Sequence, residues 1–188
     1  MKNKIKVIYS NIEKAFFSIL FIRKEFRFMG LKNYLLYFFF QRILRINSNS
    51  YWPVHWSSVV SSPKLISFKG EVTPLGYSPG SYIQATNGIE VGSNVIHAAG
   101  LKIISSNHEL NDYTKHTVNP PVIIGDNCWL GANVTILPGV RLARHVVVAA
   151  GSVVTKSVLE DDVIIAGVPA KIIRKIGKYD GKQYFQQH

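Results

Sequence analysis

The side chains of this chain that are best suited to chemistry near neutral pH are its six histidines. An imidazole with an unperturbed pKa of about 6.5 is largely neutral at pH 7 and can take a proton from another group. His108 and His116 both lie in a polar segment, residues 105–121, with the sequence SSNHELNDYTKHTVNPP. A histidine in such a segment can act as a base or can simply face water, and the residue types alone leave both open for His108. His116 could contact a substrate or face water, and we expect it to face water.

Outside this polar segment, much of the chain follows a six-residue repeat. Aliphatic residues recur six positions apart between residues 122 and 155, and the residue after each is usually small. A period of six fits neither an α-helix nor a β-hairpin, and it indicates stacked units that each complete the core of the next. The repeat therefore predicts an all-β core, a parallel β-helix of hexapeptide repeats. Its first inward column is Ile124, Leu130, Ile136, Leu142, Val148 and Val154, and its second is Cys128, Val134, Val140, Val146, Ser152 and Val158.

The repeat extends towards the N-terminus and is interrupted once. Four positions from Ala85 to Ile103 are also six apart, and they include His97. His97 could be a second catalytic group or a hydrogen-bonded core histidine, and we expect the core histidine. Ile103 and Ile124 are 21 residues apart, which is not a multiple of six, so the segment 105–121 must leave the stack as a loop. Functional side chains are often carried by loops that a rigid scaffold positions. The interruption is therefore the first place to look for a site.

The net charge of +11 is concentrated near the N-terminus. Residues 1–46 hold ten Lys or Arg and two Glu, a local charge of +8, which leaves +3 for the other 142 residues. Because no basic stripe follows the repeat, this distribution argues against nucleic acid as a partner. Basic residues mixed with Phe, Tyr and Leu are typical of a helix that lies on an anionic membrane surface, and a cap on the β-helix or a subunit contact is the alternative. The uncharged apolar runs in this region are too short for a membrane span, which needs about 20 residues.

Composition divides the chain into three parts. Residues 1–50 are a basic, aromatic helical segment, in which residues 5–22 have apolar side chains at helical spacing. Residues 51–170 are the β-helix domain with its loop, and residues 171–188 are a short C-terminal helix and tail that would close the stack. The single cysteine, Cys128, lies in an inward column, so we expect it to pack in the core and to form no internal disulfide.

Several stretches resemble a known family. PVIIGDNCWLGANVTILPGV, VAAGSVVTK and IIAGVPAKIIRKI occur in the order and spacing of the left-handed β-helix acyltransferases, the hexapeptide-repeat group that includes galactoside, maltose and serine acetyltransferases. SYIQATNGIEVG and KIISSNHEL resemble the branch that acetylates cell-surface polysaccharides and related saccharides. Over residues 80–176 the resemblance implies a left-handed triangular prism with three hexapeptides per coil, a homotrimer, and acetyl-CoA in the grooves between subunits.

The resemblance implies an acetyl-CoA-dependent O-acetyltransferase that modifies a saccharide hydroxyl of a cell-surface polysaccharide or lipid-linked glycan. His108 matches the general base of the family, which would deprotonate the hydroxyl for direct attack on acetyl-CoA, without a covalent enzyme intermediate. Glu109 or Asp112 would orient the imidazole. N-acetylation of an amino sugar, often nucleotide-linked, and a non-catalytic β-helix scaffold are the alternatives. The basic N-terminal segment favours a cytoplasmic enzyme at the inner face of the membrane.

The resemblance also implies a binding site for each substrate. The side chains expected at the saccharide acceptor are Tyr82, Gln84, Asn87 and Trp129. Small residues would leave backbone groups open to the pantetheine arm of coenzyme A, and polar or cationic ones would lie near its phosphates. The positions expected at the cofactor are Trp129, Ala132, Ala150, Gly151, Thr155, Lys156, Lys171 and Arg174. No metal is expected, because the spacing of His97, His108 and His116 differs from that of the zinc ligands in γ-class carbonic anhydrases, which share the β-helix.

Overall fold

The structure is a computed structural model that describes residues 29–181, and these residues form a parallel β-helix with three faces. The helix predicted for residues 5–22 lies outside the described residues, as does the tail from residue 182 onward. In the middle of the stack each coil contributes one short strand to each face, and strands of neighbouring coils pair in parallel.

The strands are two to six residues long, and corners of a few residues join those of the prism. Face 1 consists of β1 (Val59–Ser61), β3 (Tyr82–Gln84), β6 (Lys102–Ile104), β11 (Thr135–Ile136) and β14 (Val153–Val154). Face 2 consists of β2 (Ile66–Phe68), β4 (Ile89–Val91), β9 (Val122–Ile124) and β12 (Arg141–Leu142). Face 3 consists of β5 (Ile96–His97), β10 (Trp129–Leu130), β13 (Val146–Val148) and β15 (Val163–Gly167), with β16 (Ala170–Lys175) at its edge.

The core confirms both predicted inward columns. Every residue of the first column is at most 1% exposed. The second column is equally buried, except for Val158, which is half-buried near the end of the stack. Each fully buried Val, Leu or Ile side chain stabilises the fold by about 1.5–3 kcal/mol. Three hexapeptides make one coil, so the same inward position returns above itself in the next coil and the aliphatic side chains stack.

The corner between faces 2 and 3 carries a ladder of residues in the left-handed conformation. Asn94, Asn127, His145 and Asp162 occupy this corner in successive coils, with φ between 54° and 57°. Asparagine and aspartate tolerate this region because their short polar side chains bond locally. Asn94 Nδ2 donates to Asn127 Oδ1 at 2.8 Å, and His145 Nδ1 lies 2.8 Å from Asp162 Oδ1. Side chains at this corner thus bond from coil to coil, as the backbone does.

The first coil is covered by α1 (Gly30–Phe38) and a π-helical turn (Phe39–Ile43). The buried Tyr37 hydroxyl donates to the Tyr77 carbonyl at 2.9 Å. The buried Gln41 side chain donates to the carbonyls of Asn47, Ser50 and Trp52, and accepts from the Val54 N–H. By these contacts residues 37 and 41 of the N-terminal segment cap the stack, which is one of the alternatives that the sequence leaves open. No helix within the described residues is long and apolar enough to cross a membrane.

The short helix predicted at the C-terminal end is wrong. Residues Ala170–Lys175 form β16, which pairs antiparallel with β15, with Gly167 opposite Ala170 and Val163 opposite Lys175. The last parallel strand leaves an edge of unpaired N–H and C=O groups, and a chain reversal lets the next residues pair with that edge. Apolar residues in so short a run fit a helix or a strand equally well, so pairing with the sheet decides between them. The stack is closed as expected, but by a strand.

The interruption of the repeat is confirmed as an excursion from the prism. Residues 105–121 leave face 1 after β6 and return to face 2 at β9. The excursion has structure of its own, because β7 (His108–Glu109) and β8 (Asp112–His116) form an antiparallel hairpin. It therefore projects from the corner between faces 1 and 2, which we call the 1–2 corner.

Candidate active site

The hairpin places the two histidines of the excursion side by side. His108 in β7 pairs with His116 in β8, and their ring centroids are 4.4 Å apart with an angle of 34° between the rings. Both side chains are exposed, as expected for His116, but the contact between the two rings was not predicted. The sequence carries a signal for it, since Asn111, which lies in the turn between the two strands, is of a common turn residue type.

Neither of the two carboxylates that are predicted to orient His108 is hydrogen-bonded to its ring in the described residues. Asp112 accepts from the Thr114 hydroxyl at 2.6 Å and pairs with Lys115 at 3.0 Å, and these bonds hold the pKa of its carboxyl below the ordinary value. Glu109 lies opposite Asp112 in the hairpin and is exposed. Within the described residues, no hydrogen bond joins either carboxylate to the His108 ring. The orienting role stays a prediction, with Asp112 already bonded to its neighbours.

Gln84 and Asn87, which are predicted to contact the saccharide acceptor, form hydrogen bonds with the backbone at the two ends of the hairpin. Gln84, at the end of β3, accepts the backbone N–H groups of Ser105 and Ser106, both at 3.0 Å. Asn87, in the following turn, donates to the carbonyls of Ser105 and Thr117, both at 2.9 Å. Both side chains thus lie beside the hairpin that carries His108. Their contact with an acceptor stays a prediction.

A second group of predicted residues lies at the corner between faces 3 and 1, which we call the 3–1 corner. Trp129 is on the outer side of β10 and is 53% exposed. Ala132 follows it in the corner, and its carbonyl accepts the N–H of Gly151, one coil further on, at 2.8 Å. Ala150 and Gly151 are exposed, and a Cβ added at Gly151 would meet no atom within 4 Å. The corner is therefore an open shelf of small residues beside an exposed indole.

The remaining predicted residues lie along the outer surface. Tyr82 is 44% exposed on the outer side of β3, on face 1. Thr155 and Lys156 follow β14 at the 1–2 corner, and Lys171 and Arg174 are exposed on β16. In one chain, His108 and the shelf at the 3–1 corner therefore lie at opposite edges of face 1. A single copy does not bring the predicted base and the predicted pantetheine site together.

Two residues that could carry chemistry are part of the core instead. His97 is 8% exposed, its ring nitrogens lie 3.1 Å and 3.2 Å from the carbonyls of Pro74 and Ala98, and burial lowers its pKa. Burial raises the pKa of the Cys128 thiol to about 12. The predicted core roles of both residues are confirmed. The described part of the chain contains no group of three or more His, Cys, Asp or Glu side chains that could hold a metal ion.

Comparison with known proteins gives the same assignment for the repeat. Residues 121–156 match the family model of the hexapeptide repeat of succinyl-transferase. Galactoside O-acetyltransferase of Escherichia coli is 33% identical over 103 residues, which is 53% of this chain and 50% of that protein. The WbbJ protein of E. coli, named as a candidate lipopolysaccharide biosynthesis O-acetyl transferase, is 39% identical over 106 residues, 50% of this chain and 54% of its own. The chain thus spans about half the length of these curated relatives.

Solved structures extend the similarity to the fold. A hexapeptide-repeat acetyltransferase from Vibrio cholerae, in complex with acetyl coenzyme A, superimposes with a TM-score of 0.54 at 28% identity. The match covers 64% of this chain and 69% of that one. The three-faced prism is accordingly the left-handed β-helix that the resemblance implied. With its hexapeptide repeat at residues 121–156, its stack of short parallel strands and these relatives, the chain is similar to the hexapeptide-repeat acetyltransferases.

Proposed function

We propose that the chain is an acetyl-CoA-dependent O-acetyltransferase that acts on a saccharide hydroxyl. The observation that carries the proposal is the position of His108, which is exposed on a hairpin that a rigid hexapeptide prism holds in place. A neutral imidazole there can take the proton of a sugar hydroxyl as the oxygen attacks the thioester carbonyl. The relatives support the chemical class, because they are named for galactoside and lipopolysaccharide O-acetylation.

We further propose that the active site is shared between copies in a homotrimer. His108 and the shelf at the 3–1 corner lie at opposite edges of face 1, so one copy's hairpin would have to meet the shelf of the next. The excursion supports this arrangement through three exposed apolar side chains, Leu110, Tyr113 and Val118, which are 88%, 73% and 94% exposed in a single chain. Acetyl-CoA would then lie along Trp129 and the small residues, with Lys156 or the cations of β16 near its phosphates.

Mixed oligomers test the shared site. A chain with His108→Ala and a chain with Trp129→Ala should each have little activity, but co-expression should restore part of it, because some sites would combine an intact His108 with an intact Trp129. Light scattering gives the oligomeric state of each sample. If mixed trimers form and no activity returns, the site lies within one copy.

Turnover and product chemistry test the activity. Coenzyme A that binds only the native state must raise the melting temperature of the protein. Release of free thiol from acetyl-CoA should then depend on a saccharide, for which p-nitrophenyl β-galactoside is the first probe, and mild base should remove the acetyl group, since an ester hydrolyses far faster than an amide. A base-stable product from an amino sugar would instead identify N-acetylation. If coenzyme A neither stabilises the chain nor is released, a non-catalytic scaffold is favoured.

We also propose that the enzyme binds peripherally to an anionic membrane surface on the cytoplasmic side. The outer side of α1 and the residues after it support this, since seven large apolar side chains there are between 38% and 60% exposed. They are Leu35, Leu36, Phe38, Phe39, Ile43, Leu44 and Ile46. Lys32, Arg42 and Arg45 lie among them and are exposed. This combination fits a helix that lies at the level of acidic lipid headgroups.

Vesicle sedimentation tests the membrane proposal. Ile43→Ser should weaken binding to vesicles that contain phosphatidylserine, because Ile43 is 60% exposed on the proposed contact surface. Leu159→Ser is the matched control, since Leu159 is 72% exposed near the other end of the stack. Equal binding of both variants and of the wild type would contradict the proposal.

A further inference from the structure

The hairpin that carries His108 joins the prism where residues 105–107 leave it and Thr117 returns, and we call this junction the root of the hairpin. Its large apolar side chains, Leu110 and Tyr113, are 88% and 73% exposed, so in a single chain hydrophobic packing does not fix it. Its outgoing arm leaves the core at Ser105 and Ser106, which are 0% and 2% exposed. The position of His108 therefore depends on the contacts of these two serines and of Thr117, where the chain returns to the prism.

Gln84 holds the outgoing arm. Because Gln84 lies opposite Ile104 in the pairing of β3 with β6, its side chain lies beside the first residues of the excursion. Its Oε1 accepts the N–H groups of Ser105 and Ser106, both at 3.0 Å, and its Nε2 donates to the Ser106 carbonyl at 3.1 Å. Three hydrogen bonds from one side chain fix the backbone two residues before His108.

Asn87 joins the outgoing arm to the returning one. Its Nδ2 donates to the carbonyls of Ser105 and Thr117, both at 2.9 Å, and its backbone N–H donates to Ser105 Oγ at 2.9 Å. The returning residue Thr117 directly follows His116, the partner of His108 in the hairpin. The two N–H groups of the Asn87 amide therefore bond to both arms of the hairpin, at Ser105 on the arm that leads to His108 and at Thr117 next to His116.

We infer that Asn87 and Gln84 are positioning residues for His108, and that they hold the hairpin instead of binding the acceptor. The catalytic consequence rests on the proposed acetyltransferase function. A general base must lie within hydrogen-bond reach of the hydroxyl, and a displacement of about 1 Å can lower the rate about 100-fold. The two amides hold His108 in place from the neighbouring coil and do not touch the reacting atoms.

Two isosteric changes distinguish the roles of the amides. Asn87→Asp replaces both N–H donors with an oxygen that faces the carbonyls of Ser105 and Thr117, so it should open the root of the hairpin. Gln84→Glu keeps an oxygen that accepts from two backbone N–H groups and places its second oxygen against one carbonyl, that of Ser106, instead of two, so its effect should be smaller. Asn87→Ala opens the same contact without adding a charge, and it serves if Asn87→Asp does not fold.

Hydrogen exchange tests the clamp without any substrate. The backbone N–H groups of Ser105, Ser106, Asn107 and Thr117 are bonded at the root, so each should be protected in the wild type. Asn87→Asp or Asn87→Ala should speed their exchange about 10-fold or more, since local opening sets the exchange rate, and Gln84→Glu should speed it less. Exchange within twofold of the wild type in both Asn87 variants would overturn the inference.

Kinetics test the consequence for catalysis. With p-nitrophenyl β-galactoside and acetyl-CoA, Asn87→Ala should lower kcat by about 10- to 100-fold and change the KM for the galactoside much less, because the base is displaced while the acceptor contacts remain. A raised KM with unchanged kcat would identify Asn87 as an acceptor contact and overturn the inference. A wild type that acetylates neither this galactoside nor any other saccharide would refute the proposed function, while the exchange measurement would still decide the clamp.

Discussion

The close stacking of coils predicts that a single methyl group at Gly125 destabilises the whole prism. Gly125 has an ordinary backbone conformation, but a Cβ there would lie 2.5 Å from the Ala143 carbonyl oxygen and 2.9 Å from the Arg144 nitrogen in the next coil. The next coil would have to move by about 1 Å to reach ordinary contact of about 3.5 Å. That movement strains the bond from the Gly125 N–H to the Leu142 carbonyl, which is 2.9 Å long.

The expected loss is the sum of two effects. Overpacking of a close-packed interior costs about 1–3 kcal/mol, and a weakened backbone hydrogen bond costs about 1 kcal/mol more. Gly125→Ala should therefore lower the free energy of unfolding by about 2–4 kcal/mol, a large part of the roughly 5–15 kcal/mol of a typical domain. Urea unfolding followed by circular dichroism, at one protein concentration, measures it.

Two other glycines serve as controls for Gly125→Ala. Gly80 has φ +68° with no atom within 4 Å of an added Cβ, so Gly80→Ala should cost only the conformational strain, about 1–2 kcal/mol. Gly177 has neither a positive φ nor a close neighbour, so Gly177→Ala should change stability by less than about 0.5 kcal/mol. A loss at Gly125 no larger than that at Gly80 would refute the argument from coil spacing.

Three further predictions follow from particular side chains. With a pKa of about 12 and full burial, Cys128 should resist iodoacetamide at pH 8 and react once guanidinium unfolds the protein; rapid labelling of the native state would contradict this. The pKa of Asp162 is lowered in the fold, chiefly by its hydrogen bond with His145, so the stability lost in Asp162→Asn should be fully present above the unfolded pKa of about 3.9 and should vanish as the pH falls through the folded value. A difference in urea midpoint that does not shrink in acid would exclude that pair as its source. Tyr37→Phe removes the bond to the Tyr77 carbonyl and should cost about 1 kcal/mol in the same assay, whereas an unchanged midpoint would mean that the hydroxyl does not fasten the cap.

The prism could be predicted from the sequence because its order is local and repeated. Positions six apart, from Ile124 to Val154, occupy equivalent inward places in successive hexapeptides, so the residue type at each position directly indicates its burial. His97 could be placed in the core for the same reason. The small residues at the corners, such as Gly125, were visible as part of the period, although the contact that requires them lies in the neighbouring coil.

The features that could not be predicted from the sequence depend on contacts between segments that do not follow the six-residue repeat. Residues 170–175 form a strand because the free edge of β15 is beside them, and no residue in that stretch reports the edge. The bonds of Gln84 and Asn87 to the excursion join residues about 20 to 30 positions apart. An amide in a loop can bond to a ligand or to the backbone, and only the fold shows which partner is near.

The central claim is that His108 acts as the general base of an acetyl transfer to a saccharide hydroxyl. The most direct measurement compares acetyl-CoA turnover by the wild type and by His108→Ala, at saturating galactoside, with coenzyme A affinity measured on both proteins. A general base contributes about 10²- to 10⁴-fold to the rate, so kcat should fall by that factor while coenzyme A binds equally well. Turnover by His108→Ala within a few-fold of the wild type would contradict the assignment.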